Sequence, residues 1–239
     1  MNQDRDLFGR EGYGGQTREG LGAYTAKTFL WMFLGLLTTF LVAAVGYGSM
    51  ATLYLLYYIP YSHIVLLVAE LAVVFILSAN VHKLAVPVAR ALFFLYAVLN
   101  GIVFSAYFFI FEVSSMVLVF LATAIYFGAL AAYGYLTKAD LSRLRPILVG
   151  GLIFLILFGL ISLFIPGLQA ADRIFCLIGI AIFLGFTAYD TQKIRQYYAA
   201  FAGDPAMAQK ASILSALELY LDFINLFLYL LRFLGRRKN

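Results

Sequence analysis

From residue 28 onward the chain alternates between long apolar runs and short polar interruptions. Seven apolar segments stand out, at 28–48, 61–81, 88–111, 115–136, 146–166, 173–191 and 212–233. Each approaches or exceeds the roughly 20 residues that a helix needs to cross bilayer hydrocarbon. Pro60, Pro87, Pro146 and Pro166 fall at or beside segment ends, where a helix starts or breaks. Pro205 marks the one substantial loop, between the sixth and seventh segments. The pattern predicts an all-α fold, a polytopic membrane helix bundle of seven transmembrane helices. It divides the chain into a polar arm over residues 1–23 and a single transmembrane domain over 24–239.

Composition narrows the reading. Hydrophobic residues make up 64% of the chain and charged residues 12%, whereas soluble domains average about a quarter charged. Too few charges remain to give a globule a wet surface, so the lipid bilayer is the expected surrounding. The arm is polar and Gly-rich, with too little apolar surface to offset the entropy of ordering, and disorder is expected there. It holds no apolar core with a cleavage site, so no signal peptide is expected. The lone cysteine, Cys176, lies in an apolar run and reads as a buried, inert thiol.

A net charge of +5 could suggest a nucleic-acid partner, but the basic residues are scattered through the connections. They read instead as orientation signals. Twelve Lys and Arg residues lie in or beside the arm and the second, fourth and sixth connections. Beside the first, third and fifth lies one, Arg173. The N-terminus is therefore expected in the cytoplasm. One feature conflicts: seven crossings would leave Arg232, Arg236, Arg237 and Lys238 on the opposite side. Either the tail is carried across or one late segment does not fully cross.

Charges inside the segments matter most, since a carboxylate at mid-membrane costs about 2.5–3.5 kcal/mol on insertion scales. In the last segment Ser215, Glu218, Asp222, Asn225 and Tyr229 recur at helical spacing and share one stripe. Such a seam can simply glue helices together. Two acids without a base favour a water- or ion-accessible face. Asp190, in "GFTAYDTQKI", could be a solvated helix-end charge with Lys193 and Arg195 nearby. If the sixth helix runs to about Tyr198, however, Asp190 lies roughly 12 Å from its end, and Asp222 roughly 16 Å into the returning helix. Antiparallel packing would bring the two together. Adjacent, poorly solvated carboxyls share a proton and titrate as a unit. They would repel and open, or admit a cation, when both are ionised. Asp190, Asp222, Glu218 and Asn225 with waters could form a transit site for a hard cation such as Ca²⁺, which favours oxygen ligands. Glu70, in the second segment, is expected to face the bundle and join this pathway.

Enzymatic chemistry finds no support. There is no Gly-rich phosphate loop, no GxSxG and no Ser–His pairing in the bundle. His63 and His82 lack metal-ligand spacing. Beyond transient Ca²⁺ as the permeant ion, no metal or cofactor is expected.

At "AYDTQKI" and "ALELYLDFINLFLYLLRFLG", with "AELAVVFILSA" in the second segment, the chain resembles the Bax inhibitor (TMBIM) family in a bacterial-looking form. The resemblance implies a seven-helix bundle with the last helix at its centre, wrapped by the other six, in the bacterial inner membrane. It also implies a pH-dependent calcium leak governed by an aspartyl pair, which these motifs match to Asp190 and Asp222, with Glu70 at an acidic position of the second helix. There is one departure. Where family members often carry an Arg as basic partner of the pair, this chain has Asn80, which cannot neutralise a carboxylate. Lys83 could take over that latch if the helix end turns inward. An alternative is an interaction protein that modulates a membrane protease or stress and cell-death responses, with structural aspartates. An intramembrane aspartyl protease would need a GxGD-type motif, and the surroundings of Asp222 read "LYLDFIN".

Overall fold

The computed structural model describes residues 20–162, 164–165 and 171–238. Its helices are α1 (Leu21–Gly48), α2 (Ala51–Tyr58), α3 (Ser62–Asn80), α4 (Val86–Ile110), α5 (Val113–Leu136), α6 (Arg145–Ser162), α7 (Asp172–Phe201) and α8 (Pro205–Leu234). A 3₁₀ turn, Leu141–Leu144, leads into α6. Among the described residues seven helices, all but α2, are long and apolar enough to cross a membrane. The chain is an all-α integral membrane bundle.

The observed helices extend the apolar segments in an informative way. Leu21–Ala23, assigned to the arm, already belong to α1; residues 1–19 lie outside the described residues. The two-turn helix α2 fills a stretch expected to be a loop. It is flanked by Met50 and Tyr61, both in the left-handed region at φ 56° and 61°. The largest difference lies between α7 and α8. The loop expected around Pro205 shrinks to Ala202–Asp204, because Pro205 opens α8 rather than interrupting it. Pro suits the first helical position, where no amide hydrogen is needed. Asp204 caps the helix, its Oδ1 accepting from the backbone N–H of Ala206 and Met207 at 3.0 Å each. The stretch "PAMAQKA" is too polar to register as a membrane segment, but it is rich in Ala, the strongest helix former.

Burial places α8 at the centre. Of its most apolar stretch 72% is buried, against 11–44% for the other six spanning helices. It packs mainly against α1, α4, α5 and α7. In the layer around the central α8, α3 lies chiefly against α4, and α6 against α7. The outer helices turn residues such as Phe33, Phe75, Ile125 and Ile147 outward. That exposure is unfavourable in water and fits lipid.

With lipid as apolar as the core, close packing and internal hydrogen bonds hold such a bundle together. Two polar contacts pin α1 to α8, Thr28–Ser212 at 2.9 Å and Thr39–Tyr220 at 2.6 Å. Gly134 lets α5 approach α7 so closely that an added Cβ would overlap the Ala188 carbonyl. At the far end of α8 the tail docks on the α4–α5 turn. Glu112 N–H donates to Arg236 O at 3.0 Å, and Lys238 N–H donates to Ile110 O at 2.9 Å. Arg232 forms an ion pair with Asp172 at the start of α7. The tail thus lies with the beginnings of α5 and α7, at the opposite end of α8 from the α7–α8 turn.

Candidate functional site

The site forms where α7 and α8 run side by side. Each helix has 30 residues, roughly 45 Å, so both outreach the ~30 Å of hydrocarbon. Along α7, Thr187 Oγ1 donates to Phe183 O at 2.8 Å and Thr191 Oγ1 to Thr187 O at 2.7 Å. These buried hydroxyls are satisfied within their own helix. Asp190, between them, points across to α8.

Asp190 and Asp222 are 7% and 4% exposed, which excludes a solvated helix end for Asp190. Their carboxyl groups lie close enough to act on each other electrostatically. From the short turn Asp190 lies 11 residues back and Asp222 17 residues on, a difference of roughly 9 Å along the axes. Side chains lean toward the N-terminus of their own helix. In antiparallel helices Asp190 and Asp222 therefore lean toward each other, and the gap narrows.

A base and a third acid complete the cluster. Lys193 Nζ donates to Glu218 Oε1 at 2.6 Å and lies 3.9 Å from Asp190 Oδ1. Arg145, opening α6, acts electrostatically on Asp190 and Glu218. Along one face of α8, Ser215 Oγ, Glu218 Oε2 and Asp222 Oδ2 are buried and meet no hydrogen-bond partner among the described residues. Buried polar atoms are normally paired. Three orphans at spacings of three and four residues form a file of unsatisfied oxygen beside the aspartyl pair. Among the described residues no three His, Cys, Asp or Glu side chains are grouped to hold a metal ion.

The remaining sequence candidates disperse. Asn225 turns its amide onto its own helix, Nδ2 donating to Leu221 O at 2.8 Å. Glu70 is half-buried with one orphaned oxygen. Its electrostatic neighbours are Tyr96, Tyr107 and Tyr220, on the α4 side of α8. Asn80 ends α3, its carbonyl accepting from the N–H of Lys83 and Leu84. Lys83 is exposed in the following turn. The base that meets the acids is Lys193, one turn beyond Asp190, and its i+3 spacing in "YDTQK" was legible in the sequence. Gln192 and Arg195 act beside it as tethers. Gln192 Nε2 donates to Ala139 O at 2.7 Å and its Oε1 accepts from Leu141 N–H at 2.9 Å; Arg195 donates to Thr137 O at 2.9 Å. They hold the α5–α6 connection, and with it the approach to Arg145, against α7.

Comparison with known proteins agrees with this architecture. The model of the family described as "Inhibitor of apoptosis-promoting Bax1" matches residues 21–239. The inner membrane protein YbhL of Escherichia coli strain K12 is 41% identical over 234 residues, covering 98% of this chain and 100% of the relative. A protein of Rickettsia prowazekii, RP147, is 38% identical over 221 residues, 92% of each chain. One from Borreliella burgdorferi is 33% identical over 216 residues, 90% of this chain and 93% of its own length. Full-length similarity to these proteins and a family match across every spanning helix show that the chain belongs to the Bax inhibitor family of membrane proteins.

Proposed function

We propose that the protein is a pH-sensitive, calcium-permeable leak of the bacterial inner membrane, gated by the Asp190–Asp222 pair, with its N-terminus in the cytoplasm. The observation that carries the proposal is the juxtaposition of two buried carboxyl groups, Asp190 and Asp222, beside a file of orphaned oxygens on α8. A proton between the carboxyls clamps α7 to α8. Its loss leaves two like charges in contact, which repel in a medium that screens them poorly. Lys193 and Arg145 moderate that repulsion, and Glu218 adds to it. Separation of the pair opens a path lined by Asp190, Asp222, Glu218 and Ser215, oxygen donors suited to a hard cation in transit. The location is supported by the inner-membrane assignment in the name of the E. coli relative, and the orientation by the excess of Lys and Arg in alternate connections.

Reconstitution tests the reading. Purified protein in liposomes passes Ca²⁺ with a flux that rises with pH as the shared proton is lost. Equal flux from the wild type, Asp190→Asn and Asp222→Asn at every pH would exclude gating by the pair.

A further inference from the structure

A second built feature lies at the far end of the bundle, away from the aspartyl pair. A cleft of about 330 Å³ opens between the start of α5 and the C-terminal tail, lined by Glu112, Ser114, Ser115, Leu118, Val119, Ala122, Leu234 and Arg236. Its volume falls at the small end of ligand pockets, which span roughly 300–1,000 Å³. The tail's backbone fixes the mouth: Glu112 N–H donates to Arg236 O at 3.0 Å, and Arg236 N–H donates to Ser115 Oγ at 2.9 Å. Glu112 and Arg236 thus line one cleft, yet they form no ion pair among those found in the described residues.

The cleft is polar at its mouth and apolar below. Ser115, Leu118, Val119 and Ala122 follow at i, i+3, i+4 and i+7, one stripe of α5 descending roughly 10 Å from the polar mouth. Leu118 and Leu234 are 68% and 54% exposed, and Ala122 is small enough to keep the stripe recessed. Since α5 spans the membrane, the mouth lies at its boundary; Ser115 and Val119 form the buried floor of the cleft, and Leu118 is exposed toward the acyl chains.

We infer that this cleft binds a phospholipid whose headgroup joins a phosphate to a primary ammonium. The Arg236 guanidinium matches a phosphate diester, which it can grip with two parallel hydrogen bonds. The Glu112 carboxylate matches an ammonium, and Ser114 adds a hydroxyl at the same mouth. The fatty chain continues along Leu118, Ala122 and Leu234. A primary amine donates hydrogen bonds to Glu112, which a quaternary one cannot. A glycerol headgroup brings a phosphate with no cation to answer the acid.

Native mass spectrometry of the purified full-length protein tests this with ethanolamine, choline and glycerol phospholipids of identical chains. The ethanolamine lipid should be retained about tenfold better than the other two, the scale of one charge-assisted hydrogen bond. Glu112→Gln should erase that preference, Arg236→Gln should weaken all three lipids, and Ala122→Phe should block binding with both charges intact. Equal retention of the three lipids by the wild type, or a preference that survives Glu112→Gln, would overturn the assignment.

Discussion

At Lys193 a single ammonium faces two acids, and the consequences of removing it follow from burial. Its contact with Glu218 is short, and both side chains are only about a fifth exposed, 19% and 22%. Lys193→Met leaves an uncompensated acid against α7, and the expected loss is of order 2–3 kcal/mol, below the figure for fully buried pairs because water reaches both groups. Thermal unfolding in detergent measures it, and adding Glu218→Gln should restore most of the loss as a coupled double mutant. The aspartates behave differently. Asp222→Asn keeps a hydrogen-bond donor toward Asp190, so the fold persists while the pH dependence of Ca²⁺ flux disappears; Asp190→Asn does the same. Both acids were legible in the sequence because an apolar run makes a carboxylate conspicuous. Lys193 reads in the sequence only as a neighbour of a solvated Asp190, because a base near a helix end suggests water, and only the neighbouring helix shows that it touches Glu218.

Among the elements, α8 departs most from its apolar segment. Its first turn depends on the Asp204 cap and Pro205, not on hydrophobicity. Asp204→Ala removes the acceptor for two backbone N–H groups and should cost about 1 kcal/mol, whereas Asp204→Ser retains the cap. Melting temperatures of the two variants compare them directly. The cap matters for function because a three-residue connection sets how α7 and α8 are staggered, and that stagger brings Asp190 to Asp222. The expected loop around Pro205 failed because apolar periodicity is blind to a helix that continues beyond the membrane. Capping chemistry marks that end instead. The inward lean of the two side chains narrows the axial offset between Asp190 and Asp222.

For the molecule as a whole, the tail sits at the end of the bundle away from the α7–α8 turn. Arg236 and Lys238 are tied to the α4–α5 turn through their backbones, and Lys238 Nζ also donates to Phe108 O at 2.8 Å and Tyr47 Oη at 3.3 Å. The tail therefore lies opposite the α5–α6 and α7–α8 connections. In a Cys176→Ser background, a membrane-impermeant thiol reagent should label Lys238→Cys from outside intact cells, and label Ser142→Cys only after the membrane is opened. Labelling of both from one side would contradict seven full crossings. The sequence by itself determined that the chain is a membrane bundle, how many helices cross, and which carboxylates are anomalous. Segment length, hydropathy and the cost of charge in hydrocarbon are local properties, readable one stretch at a time. The tertiary structure alone decided that α8 is surrounded mainly by four helices, that Lys193 and not Lys83 meets the acids, that Glu70 stands on another face, and that the tail folds back. Those are relations between residues far apart in the chain, and they follow from which side chains fit and find hydrogen-bond partners when the helices pack.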